Sequence, residues 1–411
     1  MQLVLNPAPA ATHAPAYPAP GTTAFDPIAA AHDLAARLAG TAVERDRAGG
    51  HASTERGYVR ESGLLALSVP REYGGHGASW RTIAEVVRIV ARADSALAHL
   101  LGFHHLQVAG IALYGSARQQ RGLFTETIER GVFWGNALNP LDKRLVATPT
   151  AAGYLLDGVK GFASGSVGSD WLTISAWDPL ASSPLIAVLP TAQPGIDVRA
   201  DWDAFGQRQT DSGTVTFTRV QLAEDLVLQP AGRTPTPQAT LRTQVAQLVM
   251  INLYLGIAEA AFDAARAYLR SDARPWFASS PEVASATDDP YVQHRFGQFR
   301  VLVRPAQVLA DVAAVALDEA LARGAHLTAR ERGEVALAGA EAKVVAHQAA
   351  IEIGSQMFEL TGARSTSGRY GFDRYWRNAR VHTLHDPVDY KLRDLGRHAL
   401  DGTLPQPTPY S

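Results

Sequence analysis

Residues able to do chemistry fall in a few short stretches of the chain. His99, His104 and His105 stand close together, and His382 and His385 are spaced i, i+3 with Asp386 directly after them. Imidazole is the side chain best placed to move a proton near neutral pH, and it is also a common metal ligand. A His-x-x-His pair without an accompanying carboxylate pattern is a weak metal signature, so no metal is expected. Ser164-Gly165-Ser166 offers hydroxyl groups in a glycine turn, which reads either as a polar ligand contact or as an ordinary turn. Asn136, in Trp134-Gly135-Asn136-Ala137-Leu138-Asn139-Pro140, reads as a site amide or as a strand-end turn. Arg274 and Arg364 carry guanidinium forks suited to a phosphate, and each could equally be a surface ion-pair partner. No Gly-x-Gly-x-x-Gly opens a helix after a strand, and Gly74-Gly75-His76-Gly77 has the wrong spacing to cradle a pyrophosphate. The chain therefore offers no nicotinamide site.

These groups must be held by elements whose periodicity is visible. Asp26 as N-cap, Pro27 at the first helical position and Ile28, Ala31, Leu34 and Leu38 predict a helix, and Ile83, Val86, Val87 and Val90 predict another. Residues 26–130 read as an N-terminal helical domain. Over 131–235 the pattern changes to short alternating segments: a hairpin is expected at Asp157-Gly158, strands at Trp171 to Trp177 and Leu185 to Leu189, and a one-sided strand at Thr214 to Thr218. From 236 to 411 helical spacing returns, through Leu241, Val245, Leu248, Leu255, Ala258, Phe262, Ala265 and Leu269, and again through Val335, Ala338, Ala342, Val345 and Ala349. Alanine-rich helices of this length need close-packed partners, which predicts a bundle.

Composition bounds the remaining choices. The 411 residues carry 38 Lys plus Arg against 40 Asp plus Glu and no Cys. The near-zero balance leaves no electrostatic footprint for nucleic acid. Absence of Cys excludes disulfides, iron–sulfur clusters, a thiol nucleophile and sulfur-ligated zinc, and it fits a reducing compartment. Residues 1–25 hold five prolines among alanines and no charge, and are expected to be a flexible tail without a secretory pattern. No uninterrupted apolar run of about 18 residues occurs, so no membrane partner is expected and a cytoplasmic location is.

The order helical, β, helical acquires a family through its motifs. Ser62-Gly63-Leu64-Leu65-Ala66-Leu67-Ser68-Val69-Pro70-Arg71-Glu72-Tyr73-Gly74-Gly75 and Phe205-Gly206-Gln207-Arg208-Gln209-Thr210-Asp211-Ser212 resemble acyl-CoA dehydrogenase signatures. The resemblance covers almost all of 26–411 and implies an acyl-CoA dehydrogenase-like fold, mainly α, with an N-terminal helical domain, a middle β-barrel-like domain and a C-terminal four-helix bundle. Asp170 with Ser164-Gly165-Ser166, Arg274-Pro275-Trp276, Tyr370 to Asn378, and above all His382-Thr383-Leu384-His385-Asp386-Pro387-Val388-Asp389-Tyr390-Lys391 are more similar to flavin-dependent monooxygenases of the dibenzothiophene monooxygenase type.

That resemblance implies a two-component enzyme in which reduced FMN, delivered by a separate NAD(P)H:flavin reductase, and O2 oxygenate the sulfur of an organosulfur or heteroaromatic compound. It implies that Asn136, Phe162 and Ser164 contact the flavin, that Arg274 and Arg364 bind its phosphate, and that His99 and His385 hydrogen-bond activated oxygen or move its proton. His385 also borders the cofactor. Phe103 stands in the substrate pocket where the dibenzothiophene enzyme has Tyr, so one pocket hydroxyl is absent. A homotetramer is implied as well. The three prolines from Arg274 to Pro290 interrupt helices that run more directly in the dehydrogenases, which favours FMN over FAD. The alternative activity is an FAD-dependent acyl-CoA dehydrogenase, for which Asp386 would occupy the position of the proton-abstracting Glu. A third reading is a flavin-free scaffold.

Overall fold

The computed structural model describes residues 25–411. The tail expected over 1–25 lies, except for Phe25, outside the described residues; Phe25 stacks on His76 at 4.2 Å between ring centres. Six helices come first: α1 (Pro27–Ala39), α2 (Ala42–Ala48), α3 (Ser53–Glu61), α4 (Trp80–Ala93), α5 (Ser95–Tyr114) and α6 (Ala117–Glu129). Asp26 caps α1 by accepting from the backbone N–H groups of Ile28 and Ala29, and Pro27 opens the helix where its missing N–H costs nothing.

Eight strands follow: β1 (Trp134–Ala137), β2 (Val146–Thr150), β3 (Gly153–Lys160), β4 (Trp171–Asp178), β5 (Ser183–Pro190), β6 (Ile196–Val198), β7 (Val215–Ala223) and β8 (Val227–Gln229). They form one mixed sheet in the order β6-β7-β3-β2-β4-β5-β8, with β1 added in parallel to β4. The hairpin expected at Asp157-Gly158 is not there. Strand β3 runs straight through these residues, and its turn to β2 comes earlier, beyond Thr150. Asp157-Gly158 is instead a bulge against β7, where the register shifts between Leu156 and Gly158. Gly158 has φ +132°, a Cβ there would lie 2.0 Å from the Arg144 carbonyl oxygen, and the Asp157 carboxylate accepts from the Arg219 N–H at 2.7 Å. The dipeptide serves a backbone approach as well as it would serve a turn.

The last helices are α7 (Leu241–Ser271), α8 (Pro290–Ala322), α9 (Ala329–Thr361), α10 (Asp373–Thr383) and α11 (Val388–Asp401). Thr328 and Glu331 close a reciprocal capping box on α9. A single apolar core joins the N-terminal helices to this bundle, with Leu97 and Leu101 of α5 packed among Val249, Leu253 and Ile257 of α7, while the sheet keeps a core of its own. Helices α5 and α7 are apolar enough in composition to span a bilayer, yet they lie mostly buried inside this core. Close approach of α7 needs glycine: a Cβ on Gly256 would stand 2.7 Å from both the Ala91 Cβ and the Arg88 carbonyl oxygen.

Candidate active site

Helix α5 is buried nearly all round from Ser95 to Ile111, so every polar side chain on it must find a partner inside the protein. His104 meets the Leu65 carbonyl oxygen through Nε2 (2.9 Å) and accepts from the Trp134 N–H through Nδ1 (3.3 Å). His105 pairs with the Ser68 hydroxyl at 2.7 Å. Both are packing histidines between helices and sheet, and Nε2 of His105 is buried without a partner. His99 differs in what its ring meets. Its Nδ1 lies 2.8 Å from Nε2 of His382 on α10, its ring stacks on Phe103 at 4.0 Å, and its own Nε2 is buried with no partner. Burial, with the His385 charge adding to it, pushes the His99 pKa down to about 3, so the ring is neutral at physiological pH. His382 in turn lies 3.4 Å from the Tyr254 hydroxyl of α7. The three rings form a buried row across α5, α10 and α7.

A second wall comes from the β domain. Phe162 has φ +53° and is largely exposed, an uncommon backbone state for an aromatic residue, and its ring meets Trp202 edge-on at 5.9 Å. Ser164 follows, buried, with its hydroxyl 2.8 Å from that of Ser212 and its carbonyl oxygen accepting from the Asn136 N–H at 2.9 Å. Asn136 is half-buried at β1, and its amide oxygen accepts from the Leu138 N–H at 3.4 Å. Gly165 closes the gap to α5, since a Cβ there would stand 3.2 Å from Leu100, the neighbour of His99. The turn is held from behind by Arg56, which is buried, donates to Asp211 (3.2 Å) and to the Gly165 carbonyl (3.4 Å), and lies over Phe133. Asp170 accepts from Arg60 and from the Phe133 N–H, fixing the far side of the same loop.

His385 is exposed beside this row and shares the Asp386 carboxylate at 3.1 Å. Asp386 itself is buried, and its Oδ1 lies 2.5 Å from Nζ of Lys343 on α9, which also donates to Gln247 of α7 at 2.7 Å. Burial alone would raise the Asp386 pKa, but the His385 hydrogen bond and the Lys343 ammonium outweigh it and hold the carboxyl well below the usual range. A carboxylate in that state is a poor proton acceptor. Asp386 therefore lacks the freedom a dehydrogenase base requires.

Arg274 and Arg364 lie together but apart from the histidines. Both are exposed, and Arg364 donates to the Asp272 carbonyl at 2.7 Å, next to the loop that carries Arg274. Ser271 ends α7 17 residues beyond Tyr254, and at about 1.5 Å per helical residue that is roughly 25 Å from the histidine row. Several members of the site escaped the sequence reading. His382 heads the C-terminal motif, but its contact with His99 has no local signal. Tyr254 sits in the apolar run Leu253-Tyr254-Leu255, and Lys343 is a lone cation next to the alanine face of α9. A polar residue inside an apolar stripe was the available signal.

Two family models match the chain: "Acyl-CoA dehydrogenase, N-terminal domain" over residues 29–129 and "Acyl-CoA dehydrogenase, C-terminal domain" over residues 248–390. Among relatives, the probable FMNH2-dependent monooxygenase SfnC of Pseudomonas putida is 46% identical over 93% of this chain and 97% of its own. The structure of the methanesulfinate monooxygenase MsuC of Pseudomonas fluorescens superposes with a TM-score of 0.92 at 46% identity, covering 94% of this chain and 100% of the other. FMN-bound TdsC, the dibenzothiophene monooxygenase of Paenibacillus sp. A11-2, superposes with a TM-score of 0.89 at 38% identity over 94% of this chain and 100% of its own. The chain belongs to the acyl-CoA dehydrogenase family, on its branch of flavin-dependent monooxygenases of the dibenzothiophene monooxygenase type.

Proposed function

We propose that the protein is an FMNH2-dependent monooxygenase that oxygenates the sulfur of an organosulfur compound. Sulfide, O2 and reduced FMN give sulfoxide, water and oxidised FMN, so one oxygen atom goes to sulfur and the other leaves as water. The carrying observation is the contrast between two groups. The carboxylate that would serve a dehydrogenase is locked against Lys343, whereas His99 keeps an unpaired buried nitrogen beside Phe103. That contrast disfavours the FAD-dependent dehydrogenase.

Bound reduced FMN supplies the electrons. Ser164, Asn136 and the exposed ring of Phe162 would hold its ring system, and His99 and His385 face the oxygen chemistry from the helical side. Phe103 keeps water out, which protects the oxidising equivalent from waste. Arg274 and Arg364 are assigned to the phosphate. The end of α7 beside them lies about 25 Å from Tyr254, a separation that favours their serving a flavin held by a second copy. An exposed stripe of Val301, Val308, Val312 and Val315 on α8 offers a face for such a copy, in keeping with a homotetramer. Arg364→Ala should raise the FMN dissociation constant by roughly tenfold or more, the loss of a charge-assisted hydrogen bond, as read by equilibrium dialysis, and light scattering on the parent should give the mass of four chains.

Reduced FMN would come from a separate NAD(P)H:flavin reductase, since no dinucleotide motif is present, and a cytoplasmic setting would supply it. The test is incubation with dibenzothiophene, FMN, NADH and 18O2, with and without an added flavin reductase. One labelled oxygen per product oxygen, only when the reductase is present, is expected. Acyl-CoA oxidation, or NADH consumption by this chain alone, would overturn the reading.

A further inference from the structure

His99, His382 and Tyr254 make a row whose protons are ordered by its far end. The Tyr254 hydroxyl lies 3.1 Å from the carbonyl oxygen of His382 and 3.4 Å from Nδ1 of the same residue. A carbonyl oxygen only accepts, so the shorter contact takes the single phenolic proton. The longer contact must then be donated by His382 Nδ1–H. A neutral imidazole holds one proton, which leaves His382 Nε2 as an acceptor, and the 2.8 Å contact to His99 is donated by His99 Nδ1–H. The remaining nitrogen of His99, Nε2, is consequently a bare lone pair, buried and unpartnered. The reverse order would bury an unpaired N–H there, and orphaned N–H groups are rarer in folded proteins than under-satisfied acceptors.

We infer that Tyr254 and His382 are positioning residues that fix His99 as a hydrogen-bond acceptor at its buried, unpartnered Nε2, so that a group docking against that atom brings an N–H or O–H of its own. Desolvation keeps both imidazoles neutral, the pKa of His99 lying near about 3 and that of His382 well below the usual value, so the row does not recruit a second proton at neutral pH. The titratable groups that act on the row are His385, Lys343 and Asp386, and the last two are paired with each other. His99 thus orients a donor, while His385 lies exposed outside the row, against Asp386.

The assignment of tautomers stands on the row alone, while its use in oxygenation rests on the function proposed above. Solid-state 15N NMR of sedimented, [15N]histidine-labelled full-length protein without flavin reads it directly, with His99 identified by the signals lost in His99→Gln. The parent should show His99 protonated at Nδ1 and bare at Nε2, with the Nδ1 proton correlated to His382 Nε2. Tyr254→Phe keeps the ring and removes only the hydroxyl. It should shift His99 toward the Nε2–H form by roughly tenfold in population, the equilibrium equivalent of about one hydrogen bond, and should lower the fraction of reduced FMN that yields product while leaving FMN affinity within a few fold. A parent His99 protonated at Nε2, or a tautomer unmoved in Tyr254→Phe, overturns the inference. If Tyr254→Phe does not fold, the parent correlation decides alone. Expected tautomers in a protein that oxygenates nothing would instead count against the proposed function.

Discussion

At Asp386 a buried carboxylate pairs with the buried Lys343 ammonium, and removing that cation leaves the charge with only His385 and Gln247 as partners. Lys343→Met should therefore cost about 3–5 kcal/mol in guanidinium unfolding. The double variant Lys343→Met/Asp386→Leu should recover most of that loss, because an apolar pair needs no compensation. Equal stability of the single and double variants would show that leaving Asp386 without Lys343 carries no penalty of its own. His385 calls for a different measurement, since its exposed ring touches Asp386 and Tyr410 but none of the buried row. His385→Phe should bind FMN within a few fold of the parent and lose on the order of a hundredfold in oxygenation, typical of missing acid–base help, with the reduced flavin's electrons appearing as hydrogen peroxide. Unchanged product yield would make this histidine structural.

Helix α7 carries the site from the scale above: Gln247 reaches Asp386, Tyr254 reaches His382, and Gly256, one half-turn on, lies against the backbone of α4. Gly256→Ala should destabilise by about 1–3 kcal/mol, because the atoms a Cβ would meet include a carbonyl oxygen that no rotamer change can move. A variant whose thermal midpoint matches the parent would mean that α4 and α7 can part without loss. The same helix marks what its sequence discloses. Its apolar period from Leu241 to Leu269 announces a long helix, yet nothing local says that Tyr254 faces α10, since His382 is 128 residues away. Helix α8 was harder to see, because Gly297 and Pro305 interrupt a mixed surface and only Asp289-Pro290 signals its start. Asp157-Gly158 misled for a related reason. A glycine with positive φ suits a turn and a bulge alike, and the partner strand β7, far along the chain, decides between them. The candidate histidine, serine and arginine positions could be picked out locally, but which of them meet depends on tertiary contacts.

For the molecule as a whole, four buried histidines set how it responds to acid. Burial is the first cause in each case: it lowers the pKa of His99 to about 3 and of His104 to about 4, and holds His105 and His382 well below the ordinary value. In the unfolded chain these rings take up protons near about pH 6.5, whereas the folded protein refuses them until the solution is far more acidic. Between those limits the unfolded state binds more protons, so folding stability falls as pH falls, and it is fully retained above the unfolded value. Each histidine contributes a slope of up to about 1.4 kcal/mol per pH unit. Together they would remove a large part of the roughly 5–15 kcal/mol that holds a typical domain by about pH 5. Asp386, depressed by Lys343 and His385, adds to the loss only below the normal carboxylate range. Guanidinium unfolding of flavin-free protein, at one protein concentration so that assembly does not shift the midpoint, should show stability declining steeply between about pH 6.5 and pH 4.5. His105→Gln removes one of the four rings without touching the proposed catalytic row. With His76 and His347 also lowered by burial, it should reduce that slope by at most about one quarter, whatever it costs in absolute stability at neutral pH. A flat profile across this window, or a slope unaltered in His105→Gln, would mean that these histidines are hydrated or charged in the folded protein, contrary to their packing.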